Sequence, residues 1–274
     1  MRVFKNVMMW MSVACIMIVH CAASAQEADD AKSFVIAGAG PSTQVIELLA
    51  REFQAAHAGY TIVVPPKSIK HAGGLAWATT GGQLFGRTGR PLSTEDRDAF
   101  PTAVELPLAR VKMAFAVSKE LGVSALTLEQ WTDIYTGTLG NWKDVGGPDM
   151  PIMLLGRAQG ESVLTAICNA FPFFGETTFV KIYDKEHRII KATAKVPGAI
   201  GFSSKTELAA AQDLTILTIE GFQASLRVAL VYDTAHETDE TVTLMKAFIR
   251  SERWRSALEA HDFLPVDNEE DENS

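Results

Sequence analysis

An α/β fold of two lobes, each a mostly parallel sheet flanked by helices, is what this 274-residue sequence predicts. Three observations carry the prediction. Short apolar runs alternate with stretches of helical periodicity along the chain. The length suits two lobes better than one small domain. Several apolar runs end in glycine- or serine-containing turns that open directly into a capped helix.

The elements follow in order. "FVIA" from Phe34 reads as a buried strand, "GAGPST" (38–43) as its loop, and Val45–Ala56 as a helix with Ile46, Leu49 and Phe53 at helical spacing. "YTIVVPP" is a second strand closed by two prolines, "KSIKHAGG" a loop, and a second helix is expected from Leu75. In "RPLSTEDRDAF" Ser93 is placed as an N-cap with Asp96 three residues on. Arg110–Ser118 is an apolar strand, and Thr127 with Gln130 makes a capping box that opens "LEQWTDIYTG", closed by Gly137. "PIMLLG" is a strand, followed by the loop "RAQGES" (157–162) and a helix to about Phe171. "PGAIGF", "DLTILTI" and "LRVALVY" are strands, and Thr241–His261 is expected as one long last helix.

The two ends are of a different kind. Arg2 and Lys5 precede the almost wholly apolar Val7–Val19, and Ala23 and Ala25 are placed for cleavage before Gln26. That is the pattern of a secretory signal, so residues 1–25 are expected to be removed and the protein exported. A membrane anchor competes with this reading, but the apolar core falls short of the roughly 20 residues a span needs. A lipid anchor on Cys21 would place His20 where a small residue is wanted. The tail "DNEEDENS" carries no apolar residue, and residues 266–274 are expected to be a disordered acidic segment. Loss of Arg2 and Lys5 takes the formal charge from −8 to −10. So acidic a chain does not suit a nucleic-acid partner. Cys168 is then the remaining cysteine; its apolar setting "LTAICNAF" suits core packing.

Three loops share one design, an apolar strand, a turn of small residues and a helix start: "GAGPST", "SIKHAGG" (68–74) and "RAQGES". The first amides of a helix lack internal partners and the macrodipole adds positive charge there, which makes such a turn a ready anion site. Each alone is equally an ordinary capped turn. Together with Arg157, whose planar fork matches a tetrahedral oxyanion, they point to one shared ligand.

Here the chain resembles a known family. "GAGPST", "AGG", "GRPLSTED", "LTLEQWTDIYTGTLGNWKDVG", "RAQGES" and "PGAIGF" stand in the order seen in periplasmic phosphate-binding proteins of ABC importers. The similarity runs from about Phe34 to Leu264, and its most specific stretches lie outside the ligand loops. It implies a type II periplasmic-binding-protein fold with a cleft between lobes. Lobe 1 would be discontinuous, residues 33–115 plus 201–265, and lobe 2 would be 116–200, with crossovers near Phe115 and Gly201. It also implies ligand contacts at Ser42 (hydroxyl), Thr43 (backbone amide), His71, Thr88, Gly89, Arg157, Gly160, Glu161 and Ser162. Several positions depart from the family. His71 stands where a serine is usual, and Gly89 where an Asp or Ser is usual. Glu161, Ser162 and Val163 replace Ser-Gly-Thr, and Gln159 replaces the Asp that steadies the arginine.

Glu161 leaves three accounts open. It is a solvated carboxylate favoured by the helix N-terminus, an internal anion pairing with Arg157 or Arg87, or an acceptor for the proton of a protonated oxyanion. Sequence motifs for hydrolases, nucleotide binding and zinc are absent, and His57, His71, His187, His236 and His261 are scattered. The expectation is therefore a non-enzymatic periplasmic receptor without cofactor or metal. It would hold a phosphate-like inorganic oxyanion for an inner-membrane ABC permease. The alternative is a sensory or interaction domain on the same fold with altered or lost phosphate binding.

Overall fold

The structure is a computed structural model that describes residues 32–266; the expected signal segment and nearly all of the acidic tail lie outside the described residues. β1 (Lys32–Val35) pairs in parallel with β3 (Tyr60–Val63), and β2 (Ala37–Gly38) continues the first strand toward its loop. Between them α1 (Thr43–Ala56) buries Val45, Ile46, Leu48, Leu49 and Phe53, the apolar stripe read from the sequence. α2 spans Lys70–Thr79. It begins five residues before the expected Leu75, because Lys70 takes a left-handed backbone (φ 67°) that turns the loop straight into the helix. β4 (Gly86–Thr88) and α3 (Thr94–Ala99) follow, and Ser93 and Asp96 form the predicted capping box.

β5 (Ala103–Ser118) is longer than read from sequence and ties the molecule together. β6 (Ala125–Leu126) leads to α4 (Leu128–Thr136), whose Thr127–Gln130 capping box and Gly137 cap (φ 84°) are both formed. β7 (Met153–Arg157) enters α5 (Ser162–Ala170), then come β8 (Lys181–Tyr183) and α6 (Glu186–Lys195), neither of which the sequence reading contained. β9 (Ala199–Ser204) and α7 (Lys205–Ala209) precede β10 (Leu214–Ile216), β11 (Thr218–Ile219) and β12 (Ser225–Asp233). The expected last helix is two, α8 (Glu240–Ile249) and α9 (Glu252–Ala260). Ser251 breaks it by accepting from the Trp254 amide (3.3 Å) as a new N-cap.

The main sheet runs β2-β4-β12-β5-β9-β7-β8. The expectation of mostly parallel pairing is corrected here to a mixed sheet. β2–β4, β7–β8 and β7–β9 are parallel, whereas β12 runs antiparallel to β4 and β5, and β9 antiparallel to β5. Strand β5 crosses between halves. Its residues 103–112 pair with β12 and 113–117 with β9. By strand pairing β9, which holds Gly201, joins β5 and β7, and β12 lies between β4 and β5. The pairing partner of each strand is a tertiary fact that alternation of apolar runs does not encode.

One apolar core runs through both halves. In the second half it is aromatic: Phe115 has ring centroids of Trp131, Tyr135, Phe174, Phe202 and Phe222 between 5.2 and 5.8 Å away. Trp142 and Trp254 are buried with their indole N–H groups donating to Gly198 O (2.9 Å) and Leu108 O (3.1 Å). Such packing makes both ends of the sheet rigid supports for the loops at the strand ends.

Candidate functional site

The loops after β2, β4 and β7 meet. Gly89, just past β4, is the point of contact: a Cβ there would lie 3.2 Å from Ser162 Oγ and 3.3 Å from Ala39 Cβ. Gly40 of the first loop and Ser68 of the second are equally close, and Ile69 N–H donates to Gly38 O (3.0 Å). Four sequence segments predicted to share a ligand are thus brought to one place. A cleft of about 550 Å³ opens beside this contact, lined by Gly89, Arg90, Ser162, Asn169, Arg110 and Arg227 among others.

The first loop has closed on itself. A 3-10 turn at Gly40–Ser42 precedes α1. Ser42, fully buried, donates from Oγ to Ala39 O (2.7 Å), and both the Thr43 hydroxyl (2.7 Å) and its amide donate to Gly40 O. Thr88 is buried with its hydroxyl turned to Ala229 O (3.5 Å) across the sheet. It lies on the strand face opposite Gly89 and is not gathered with the others. Gly160 takes φ 78° in open space, where it makes the turn into α5.

His71 is buried in the first turn of α2 and its ring faces Asp96, at 3.4 Å from Nε2 to Oδ2. Arg90 holds the same carboxylate, and the Ser93 amide donates to it (Ser93 N to Asp96 Oδ2 2.9 Å). Burial, and then the charge of Arg90, push the His71 pKa down to about 4, against the pull of Asp96. The ring is therefore neutral at pH 7. Because the unfolded imidazole keeps an ordinary pKa near 6.5, the unfolded chain takes the proton first as pH falls. Stability declines from about pH 6.5 and the loss is complete below about 4. We expect a loss of about 3 kcal/mol over that window. Denaturant melts of His71→Gln should lack this slope; a variant as acid-sensitive as the wild type would assign it elsewhere.

Glu161 is where the geometry answers most. It stands as the N-cap residue of α5 yet makes no side-chain cap hydrogen bond. Its Oε2 instead accepts from Arg157 Nη2 at 3.1 Å, and its Oε1 is 3.5 Å from Lys70 Nζ. Arg157, only 4% exposed at the side chain, also donates from Nη1 to Tyr183 O (3.3 Å). Of the three accounts this favours the internal anion: the carboxylate sits on the guanidinium that the resemblance assigns to a ligand and reaches Lys70 of the second loop. Sequence reasoning missed Lys70 and named Arg87 only as a possible partner of Glu161. Lys70 carries no signal beyond its place before His71. Arg87 is a cation within a buried strand, which is itself a signal.

Comparison with known proteins follows the same lines. A family model for the PBP superfamily domain matches residues 23–251. The phosphate-binding protein PstS of Bacillus subtilis (strain 168) is 28% identical over 158 residues, 53% of this chain and 51% of that protein. The chain thus matches about half the length of this curated relative. A Clostridium perfringens structure, assigned as a phosphate ABC transporter substrate-binding protein and solved with bound phosphate, superposes with a TM-score of 0.70. It is 25% identical and covers 86% of this chain and all of its own. An ABC-type phosphate transport receptor from Vibrio cholerae (TM-score 0.59, 18% identity, 86% of this chain and all of its own) shares the fold.

Proposed function

The chain belongs to the PBP superfamily, and from that premise we propose that it is an exported solute-binding protein for phosphate or a related oxyanion. It would present its ligand to an ABC permease in the inner membrane. In this reading no bond is made or broken. The ligand meets loops from both halves of the sheet, and closure is driven by its higher affinity for the closed arrangement. What carries the reading is the convergence on Gly89 of Ala39 and Ser162, with two buried guanidinium groups, Arg87 and Arg157, on the strands that lead there. The 28% identical relative is named for phosphate, and the C. perfringens relative was solved with it, which supports the choice of anion.

One observation favours a second reading, a sensory or interaction domain that has weakened phosphate binding. Glu161 already supplies Arg157 with a negative partner and Lys70 with another. Thermal denaturation over phosphate, sulfate and phosphonates separates the two. A true ligand at 100 times its dissociation constant adds about 2.7 kcal/mol of stability. A clear upward shift with one oxyanion is the expected result. A flat response across the panel would reject the receptor and leave the second reading.

A further inference from the structure

We propose that Arg87, and not Arg157, is the guanidinium that reads the charge of the bound oxyanion; this rests on the oxyanion-receptor reading above and assigns the residue that performs it. Arg87 is completely buried, and among the described residues neither its Nε nor its Nη1 has a hydrogen-bond partner. Its Nη2 donates to Pro65 O, at 3.1 Å. A guanidinium is donor-only, so two idle buried nitrogens leave a strong demand for an acceptor. Arg157, by contrast, has both terminal nitrogens engaged, by Glu161 and Tyr183 O.

Placement supports the assignment. Arg87 lies on β4, two residues before Gly89, where the chain meets Ala39 and Ser162. The Arg87 side chain runs along the first loop: a Cβ on Gly38 would lie 2.7 Å from its Cγ. It ends at Pro65, three residues before Ser68, which lies against Gly40. The charged group therefore sits between the first and second ligand loops, at the end of the sheet where α1 begins. A cation near a helix N-terminus is disfavoured by the helix dipole unless an anion joins them. Burial draws the Arg87 pKa down to about 10, and the charge of Glu47, on the second turn of α1, opposes that. Glu47 itself is exposed, so the compensation it offers is screened.

The test compares wild type, Arg87→Met, Arg87→Lys and the double variant Arg157→Met/Glu161→Met. Each is titrated calorimetrically with inorganic phosphate and with sulfate, and melted without anion. Arg87→Met is expected to melt at or above the wild-type temperature, since an unpaired buried charge is gone. Its affinity for the anion should fall at least 30-fold, and Arg87→Lys, which keeps charge but not the planar fork, should lose about tenfold. The double variant, which removes the neutralised pair, should lose much less affinity than Arg87→Met. An Arg87→Met protein that binds within threefold of wild type overturns the assignment, whatever its melting temperature. If Arg87→Met does not fold, wild-type affinity in Arg87→Lys overturns it instead. A wild type that takes neither anion overturns the receptor reading and this inference with it, whereas binding that survives at Arg87 and vanishes in the double variant overturns this inference alone.

Discussion

Glu161→Ser should cost the ligand-free protein about 3 kcal/mol and, in the same variant, tighten phosphate binding by about tenfold or more. The cost follows from burial. Arg157 is 4% exposed and keeps only Tyr183 O once its carboxylate partner is removed. Breaking a buried pair from one side strands the other charge, which typically costs 3–5 kcal/mol. Glu161 is 22% exposed, so the lower end applies. The gain has the same origin: a stranded guanidinium and Lys70 then await an anion, and phosphate replaces what the substitution removed. Urea melts with and without phosphate, paired with calorimetric titration, check both halves. A Glu161→Ser protein that binds phosphate more weakly would instead make the carboxylate an acceptor for the ligand's proton. One with unchanged stability and affinity would make it a solvated surface group. Lys70→Ala is a contrasting control. Its side chain is 80% exposed and 3.5 Å from Glu161, a pair worth less than about 1 kcal/mol.

What was legible in the sequence was local. The capping boxes Ser93–Asp96 and Thr127–Gln130 are decided within four residues, and both are formed. The stripe of α1 and the left-handed Gly137 cap are of the same kind. The early start of α2 was illegible because a lysine, not a glycine, takes the left-handed turn at position 70. The antiparallel insertion of β12 between β4 and β5 was illegible because strand pairing is non-local. In the site the gathering of loops could be read from their repeated design, but the state of each charge could not. Arg157 looked like the cation for the ligand and has its terminal nitrogens engaged; Arg87 was named only as a possible partner of Glu161 and has two idle nitrogens. His71 looked like a donor toward the ligand and faces Asp96. Distances between elements decide these matters, and sequence spacing does not contain them.

Gly74→Ala should lower stability by about 3 kcal/mol and abolish the response to oxyanion, although helix propensity alone predicts the opposite sign. Gly74 lies in the interior of α2, where alanine is favoured over glycine by about 1 kcal/mol. The helix, however, packs on β4 backbone to backbone. A Cβ on Gly74 would stand 2.2 Å from Arg87 O and 3.2 Å from Gly38 Cα, and one on Gly86 would stand 2.0 Å from Gly74 O. Neither obstacle is the end of a flexible side chain, so α2 or β4 must move. Forced expansion of a close-packed contact costs 1–3 kcal/mol, and backbone on both sides puts this one at the upper end. The displaced segments are those of the ligand loops: β4 carries Arg87 and leads to Gly89, β2 carries Gly38, and α2 starts at Lys70 and His71. Gly140→Ala is the matched control, because nothing lies within 4 Å of its added Cβ and its backbone is not left-handed. It should be neutral or slightly stabilising through the unfolded chain. Equal melting midpoints for the two alanine variants would mean that α2 and β4 do not touch as described. The glycine pair would then have no part in holding Arg87 against the first loop.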